Sequence, residues 1–260
     1  MAASNVQCFR KPWRRCDTAE TFCRRSESSM RRLRNSGSDN SECIRVSRSL
    51  PAGLLFLDLE RFDRLLCRAG TLFARAGWNV LAIDMLHYGE RKTDLVPVIR
   101  TPELVARLYG NPPVYLQWVS QTVKDAGRSY DFLVTERGAD PERIALVGTS
   151  RGAVISMIIG GADPRFKAVA LLYPGHYLAN ETIAHLPAAC PANYLGRISP
   201  RPVLMINGTT DNLFLRESSV LPLQRLAKEP KTVLWLETGH MGNFREDLPQ
   251  VANWLRDHVR

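Results

Sequence analysis

The residues Gly148-Thr149-Ser150-Arg151-Gly152 have the pattern Gly-x-Ser-x-Gly and stand between a run that predicts a strand and a run that predicts a helix. In such a turn the serine hydroxyl projects above the sheet, and the two glycines remove side chains that would clash. The helix that starts there directs its free N–H groups and the positive end of its dipole at a developing oxyanion. The pattern predicts that Ser150 is a nucleophile, with the N-cap of an ordinary helix as the alternative.

A serine hydroxyl is a weak nucleophile at neutral pH, so it needs a base and a group that orients the base. Asp211 follows a predicted strand that ends near residue 208, and His240 follows one that ends near residue 237. Because the carboxyl ends of parallel strands share one edge of a sheet, both side chains can converge on Ser150. We predict His240 as the base and Asp211 as its partner. Taken singly, Asp211 suits a turn or a helix N-cap, and His240 suits a loop.

The elements that must position these residues alternate regularly from about residue 65 to residue 260. The predicted strands are Val80–Asp84, Arg143–Gly148, Lys167–Tyr173, Pro202–Gly208 and Thr232–Glu237. The predicted helices are Leu65–Ala76, Tyr115–Thr135, Ser150–Ile159, Arg216–Lys228 and Arg245–Val259. The stretches 85–113 and 174–200 are expected to be loops. This alternation indicates an α/β fold whose mainly parallel, doubly wound sheet is covered on both faces.

The N-terminal part of the chain has a different composition. The formal net charge is +9, and residues 1–70 carry 14 Lys and Arg against 8 Asp and Glu, together with five of the six cysteines. No helical or strand period persists there until about Gly53. We expect 1–52 to be a basic Arg-, Ser- and Cys-rich segment outside the core, and 53–260 to be the catalytic domain. A solvated tail, a transit peptide, a stretch of mistranslated reading frame and a basic tail that binds nucleic acid or anionic lipid remain alternatives for this segment.

Several classes of protein are disfavoured by what the sequence lacks. No apolar run reaches the length of a membrane span, and no apolar signal centre lies near Met1. The cysteine spacings lack the paired Cys-x-x-Cys pattern of a zinc site, so no metal is expected. No Gly-x-Gly-x-x-Gly fingerprint or P-loop indicates a nucleotide. We expect a cytoplasmic protein.

With these motifs in place, the sequence resembles the α/β-hydrolase superfamily, and within it the dienelactone-hydrolase-like and prolyl-oligopeptidase-like serine esterases. The resemblance covers about 65–260, and it rests on the segments Leu65–Gly89, Asp140–Gly152, Pro202–Asp211 and Gly239-His240. It implies an α/β-hydrolase sheet in which Ser150 is the nucleophile, His240 the general base and acid, and Asp211 the orienting carboxylate. It also implies that the backbone N–H of Arg151 is one oxyanion donor. Many dienelactone hydrolases have a cysteine nucleophile, so Ser150 favours simple ester hydrolysis.

One departure from the family pattern concerns the second oxyanion donor. The family takes this N–H from a His-Gly loop after an early strand, but the candidate strand Gly53–Leu59 is followed by Glu60-Arg61-Phe62-Asp63. Loss of one such donor costs about 100- to 1000-fold in rate. A catalytically weak or inactive α/β-hydrolase-like binding protein therefore remains an alternative.

The resulting expectation is a carboxylic ester hydrolase that works through an acyl-enzyme without a cofactor. Its expected partner is a small-molecule ester, with no nucleic acid or membrane, and the oligomeric state is open. A thioesterase or a peptidase of the same fold is the alternative, because the triad does not distinguish these substrates. Other residues are candidates for lining the site or for packing: His87, His176, His185, Tyr115, Trp118, Tyr173 and Tyr177.

Overall fold

A single sheet forms the centre of the protein in the computed structural model, which describes residues 5–8, 52–57, 70, 72–87, 91, 93, 107–108, 110–176, 186–240 and 242–259. The strands are β1 Asn5–Cys8, β2 Ala52–Leu57, β3 Trp78–Ala82, β4 Ile144–Thr149, β5 Ala168–Leu172, β6 Val203–Gly208 and β7 Lys231–Leu236. Their order across the sheet is β1-β3-β2-β4-β5-β6-β7, and every neighbouring pair is parallel. The predicted parallel α/β architecture is confirmed.

Helices connect these parallel strands. They are α1 Pro112–Thr135, α2 Arg151–Ala162, α3 Ala192–Leu195, α4 Leu221–Leu226 and α5 Phe244–His258. Residues 70 and 72–75, which lie within the predicted helix Leu65–Ala76, are also helical, and residue 76 is a turn. Short 3-10 turns occupy Pro187–Ala189 and Pro141–Arg143.

The two faces of the sheet have separate hydrophobic cores. In β4, Ile144 and Leu146 contribute to one core, whereas Ala145 and Val147 contribute to the other. This alternation follows from the strand period of two. Apolar residues of α1 and α2 complete the first core, and those of α5 complete the second. Coverage on both faces explains why the central strands are largely apolar.

Proline accounts for two of the differences between the predicted and the observed helix boundaries. The helix α1 begins at Pro112 rather than Tyr115, because a proline in the first turn needs no N–H donor. Asn111 caps this end by accepting a hydrogen bond from the Val114 N–H at 3.4 Å. The predicted helix Arg216–Lys228 is instead a π-helical turn over Arg216–Val220 followed by α4, which has a proline in its own first turn.

The two N-terminal strands occupy different positions in the sheet. The strand β1 lies within the segment 1–52 and pairs with β3 at the edge of the sheet. The expected strand Gly53–Leu59 is observed as β2, and it lies between β3 and β4. The division of the chain into 1–52 and 53–260 stays a prediction.

A pair of Gly→Ala substitutions tests the packing of α2. A Cβ at Gly161 would overlap the backbone of Tyr194 in α3, so we expect Gly161→Ala to lower the free energy of unfolding by about 1–3 kcal/mol. At Gly127 in α1 the nearest atom is Arg165 Nη2 at 3.3 Å, which Asp163 Oδ2 holds at 2.7 Å. The gain in helix propensity is offset by a small shift of this guanidinium, so Gly127→Ala should change the free energy of unfolding by less than about 1 kcal/mol. Urea unfolding measures both, and equal effects would contradict the close α2–α3 contact.

Candidate active site

Ser150 alone joins β4 to α2. Its backbone has φ 53° and ψ −115°, a left-handed conformation that costs a non-glycine residue about 1–3 kcal/mol. Two backbone hydrogen bonds hold it: the Ser150 N–H donates to the Leu172 carbonyl at 2.8 Å, and the Ser150 carbonyl accepts from the Val154 N–H at 3.0 Å. A Cβ at Gly148 would overlap the carbonyl oxygen of Gly152, so this turn closes only with glycine at 148.

The segments that follow β6 and β7 are joined closely by their backbones. The Thr209 N–H donates to the Leu236 carbonyl at 2.8 Å, and the Thr210 N–H donates to the Thr238 carbonyl at 3.1 Å. A Cβ at Gly208 would overlap the carbonyl oxygens of Thr238 and Gly239, so the two segments approach each other only because residue 208 has no side chain. The next residue on one segment is Asp211, and the next on the other is His240.

The Asp211 carboxylate has donors on both oxygens. Oδ1 accepts from the N–H groups of Leu213 and Phe214, each at 2.9 Å, and Oδ2 lies 2.8 Å from His240 Nδ1. Burial by itself raises the pKa of Asp211, but the hydrogen bond from His240 and those from the two N–H groups outweigh it. The pKa therefore lies below its ordinary value, and Asp211 is ionised at neutral pH.

The His240 ring bridges Asp211 and Ser150. An ionised carboxylate only accepts hydrogen bonds, so Nδ1 of His240 carries the proton. In the neutral imidazole Nε2 is then an acceptor, and the Ser150 hydroxyl, whose Oγ lies 2.6 Å away, donates to it. Phe214 and Tyr173 meet the imidazole at centroid distances of 5.1 and 6.4 Å, both edge to face. The three predicted residues are thus brought together with the tautomer that a general base requires.

A second buried pair lies behind His240. Tyr173 Oη donates to Asp247 Oδ2 at 2.5 Å, and both residues are almost wholly buried. Burial, with a smaller contribution from Glu246, raises the pKa of Asp247 above its ordinary value despite the hydrogen bond from Tyr173. Burial and Asp247 likewise raise the pKa of Tyr173, which keeps its hydroxyl protonated as a donor. Nothing in the sequence marks this pair, because an acidic residue in the first turn of a helix is common for electrostatic reasons alone.

Other residues singled out in the sequence lie at the start of α2, in the segment after β3 or in the core. Arg151 is the first residue of α2 and is buried, so its N–H lies at the positive end of that helix. His87 is buried with φ 72°, and its Nδ1 lies 2.8 Å from Thr93 Oγ1. Burial, together with Arg91, lowers the pKa of His87. Tyr115 and Trp118 are core residues.

Some sequence expectations fall outside the part of the chain that the structure describes. These are His185, Tyr177 and the segment Glu60-Arg61-Phe62-Asp63, which stands where the family pattern has its second oxyanion donor. Among the described residues, no group of three His, Cys, Asp or Glu side chains could hold a metal ion. None of the helices within the same ranges combines the length and apolar character needed to cross a membrane.

Comparison with known proteins supports this architecture through structure rather than sequence. No protein-family model matches the sequence, and no curated protein matches it. A cold-adapted esterase from an Arctic intertidal metagenomic library is similar in structure with a TM-score of 0.64 at 18% identity, covering 82% of this chain and 84% of its own. The chain has the α/β-hydrolase fold.

Two further α/β-hydrolase structures show the same similarity. An α/β hydrolase from Penicillium sp. has a TM-score of 0.62 at 15% identity, covering 80% of this chain and 91% of its own. Acetyl xylan esterase 1 from Thermoanaerobacterium sp. has a TM-score of 0.61 at 17% identity, covering 80% of this chain and 75% of its own. In this fold the carboxyl ends of the parallel strands β4, β6 and β7 lie at the same edge of the sheet. Ser150, Asp211 and His240 meet at that edge.

Removing one hydroxyl tests the pair behind His240. In Tyr173→Phe the buried Asp247 carboxylate loses a donor, so we expect the free energy of unfolding to fall by about 1–3 kcal/mol at neutral pH. The loss of this donor raises the pKa of Asp247 further. Because a protonated carboxyl carries no buried charge, the destabilisation should shrink as the pH falls through that pKa.

Urea unfolding of both proteins across pH measures this effect. Tyr194→Phe is the matched control, because Tyr194 Oη bonds the Ala188 carbonyl at an exposed site and its loss should cost no more than about 0.5 kcal/mol at any pH. Equal, pH-independent effects of the two substitutions would contradict the role of Asp247.

Proposed function

We propose that the protein is a serine hydrolase that cleaves carboxylic esters of small molecules through an acyl-enzyme intermediate. The observation that carries the proposal is the continuous hydrogen-bonded chain from Ser150 Oγ through His240 to Asp211, with distances of 2.6 and 2.8 Å. A neutral imidazole acceptor on a serine hydroxyl, with a carboxylate on its other nitrogen, is the arrangement that activates serine.

In the first half of the reaction Ser150 Oγ attacks the ester carbonyl carbon, and His240 Nε2 takes the hydroxyl proton. The imidazolium that forms carries a proton on each nitrogen, and the Asp211 carboxylate stabilises its charge through Nδ1. Collapse of the tetrahedral intermediate expels the alcohol oxygen, which takes the proton from Nε2. The acyl group is then bound to Ser150.

The negative oxygen of the tetrahedral intermediate needs hydrogen-bond donors in fixed positions. Arg151 follows the nucleophile and begins α2, so its N–H is one such donor and the dipole of the 12-residue helix adds to its effect. Because Ser150 directly precedes α2, the nucleophile and this N–H lie next to each other at the start of that helix.

The second half repeats these steps with water in place of the serine. His240 Nε2 takes a proton from a water molecule, the resulting hydroxide attacks the acyl carbon, and Ser150 Oγ leaves with the proton returned to it. No step requires a metal or an organic cofactor. Ester substrates are favoured over thioesters and amides because the structurally similar proteins include an esterase and an acetyl xylan esterase by name.

Hydrolysis of short-chain nitrophenyl esters tests the proposal. We expect turnover by the wild type and a loss of more than about a thousandfold in kcat for Ser150→Ala, together with loss of covalent labelling by a fluorophosphonate. Ser129→Ala is the matched control, because Ser129 Oγ bonds the Asp125 carbonyl within α1 and its loss should leave both signals intact. A folded wild type that neither turns over nor labels would overturn the proposal. Matched nitrophenyl thioesters and nitroanilides separate the three substrate classes.

Substitution of the orienting carboxylate tests the tautomer argument. In Asp211→Asn the amide can donate to Nδ1, which favours the tautomer with its proton on Nε2, so we expect kcat to fall by about 10⁴-fold with the fold retained. Asp131→Asn removes an exposed carboxylate and should leave kcat unchanged. Steady-state kinetics with a circular dichroism check measures both. An unaltered kcat in Asp211→Asn would exclude Asp211 from the mechanism.

A further inference from the structure

A histidine and a cysteine outside the candidate triad lie side by side. Cys190 Sγ is 3.2 Å from Nε2 of His176, which is 5% exposed. His176 belongs to the segment that follows β5, and Cys190 stands directly after the 3-10 turn Pro187–Ala189. The mechanism above uses neither residue.

The backbone of His176 is held in place by Ser219. Its backbone N–H donates to Ser219 Oγ at 2.8 Å, and its carbonyl accepts from the same hydroxyl at 2.5 Å. Ser219 is itself buried, so this double hydrogen bond anchors the segment to the π-helical turn before α4. Cys190 is a free cysteine and is partly exposed.

The contact allows Nε2 of His176 to act as a base toward the Cys190 thiol in the tautomer whose proton is on Nδ1. Burial lowers the pKa of His176, which keeps the imidazole neutral at physiological pH. Nδ1 is buried and has no hydrogen-bond partner among the residues that the structure describes, whereas Nε2 faces the thiol. When Nε2 accepts the S–H proton, Nδ1 is the protonated nitrogen. A base placed in this way assists thiolate formation at the moment of attack, and the thiolate is the nucleophile in thiol chemistry.

We propose that Cys190 and His176 form a thiol-modification site that reacts with low-molecular-weight disulfides. The Cys190 sulfur attacks one sulfur of the disulfide while its proton passes to His176 Nε2, and a new S–S bond forms as the old one breaks. The departing sulfur leaves as a thiolate and takes the proton back from the imidazolium. Cys190 is thereby oxidised to a mixed disulfide and the reagent is reduced to one thiol.

The site is connected to the candidate triad by one short segment. Gly175, the residue before His176, packs so closely on Phe214 that a Cβ there would overlap the ring. Phe214 in turn donates its N–H to Asp211 and contacts the His240 imidazole. An adduct on Cys190 displaces His176 and, through Gly175, disturbs Phe214. We therefore infer that the modified protein turns over esters more slowly, a part of the proposal that rests on the proposed function.

The reactivity of Cys190 is measured by trapping each of the six cysteines with a small aromatic disulfide and resolving their peptides by mass spectrometry. Partial burial alone would slow a thiol on folding. We expect Cys190 to react about tenfold faster in the folded protein than in guanidinium chloride, and His176→Asn to lose that gain. Slower reaction of Cys190 in the folded wild type would overturn the site, whether or not His176→Asn folds.

The link to turnover is measured on the same preparations. We expect modification to lower kcat/KM for a nitrophenyl ester about tenfold, dithiothreitol to restore it, and Cys190→Ala to be insensitive to the disulfide. Full modification of Cys190 with unchanged kcat/KM would overturn the link. If the wild type shows no ester turnover and no labelling of Ser150, the proposed function has failed, while the rate at Cys190 still decides the thiol site.

Discussion

The close approach of the segments after β6 and β7 is the constraint on which the candidate site depends. Asp211 and His240 are 29 positions apart in sequence, and their mutual position is determined by two backbone hydrogen bonds and by the missing side chain at Gly208. Once these segments are joined, the Asp211 carboxylate sets the tautomer of His240, and the tautomer sets the direction of the hydrogen bond from Ser150. A displacement of about 1 Å at Gly208 would therefore reach the nucleophile.

The site combines unfavourable local features that the surrounding structure stabilises. Ser150 is held in a strained conformation by its hydrogen bond to β5 and by the buried helix α2. Asp211 is buried and charged, and its oxygens receive three hydrogen bonds in compensation. Buried charges are tolerated when such donors surround them. The two apolar cores on either side of the sheet stabilise the fold and so offset the strained backbone of Ser150 and the buried charge of Asp211.

The segment after β5 connects three parts of the structure. Tyr173 contacts His240 and bonds to Asp247, Gly175 packs on Phe214, and His176 contacts Cys190. Packed side chains transmit small displacements because protein interiors have few voids. The proposed link between Cys190 and Ser150 would therefore run through the buried contacts of Gly175 and Phe214.

The sequence by itself determined the parallel α/β architecture and the identity of the three residues that meet. Apolar runs of strand length, helical periods between them and Gly-x-Ser-x-Gly at one junction are local patterns, and local patterns are readable from one chain. The tertiary structure alone decided the rest. The Tyr173–Asp247 pair, the role of Phe214 and the neighbours His176 and Cys190 arise between residues distant in sequence, and no spacing rule relates them. Their positions follow from how the strand ends pack against one another, which is a property of the whole sheet and its two cores.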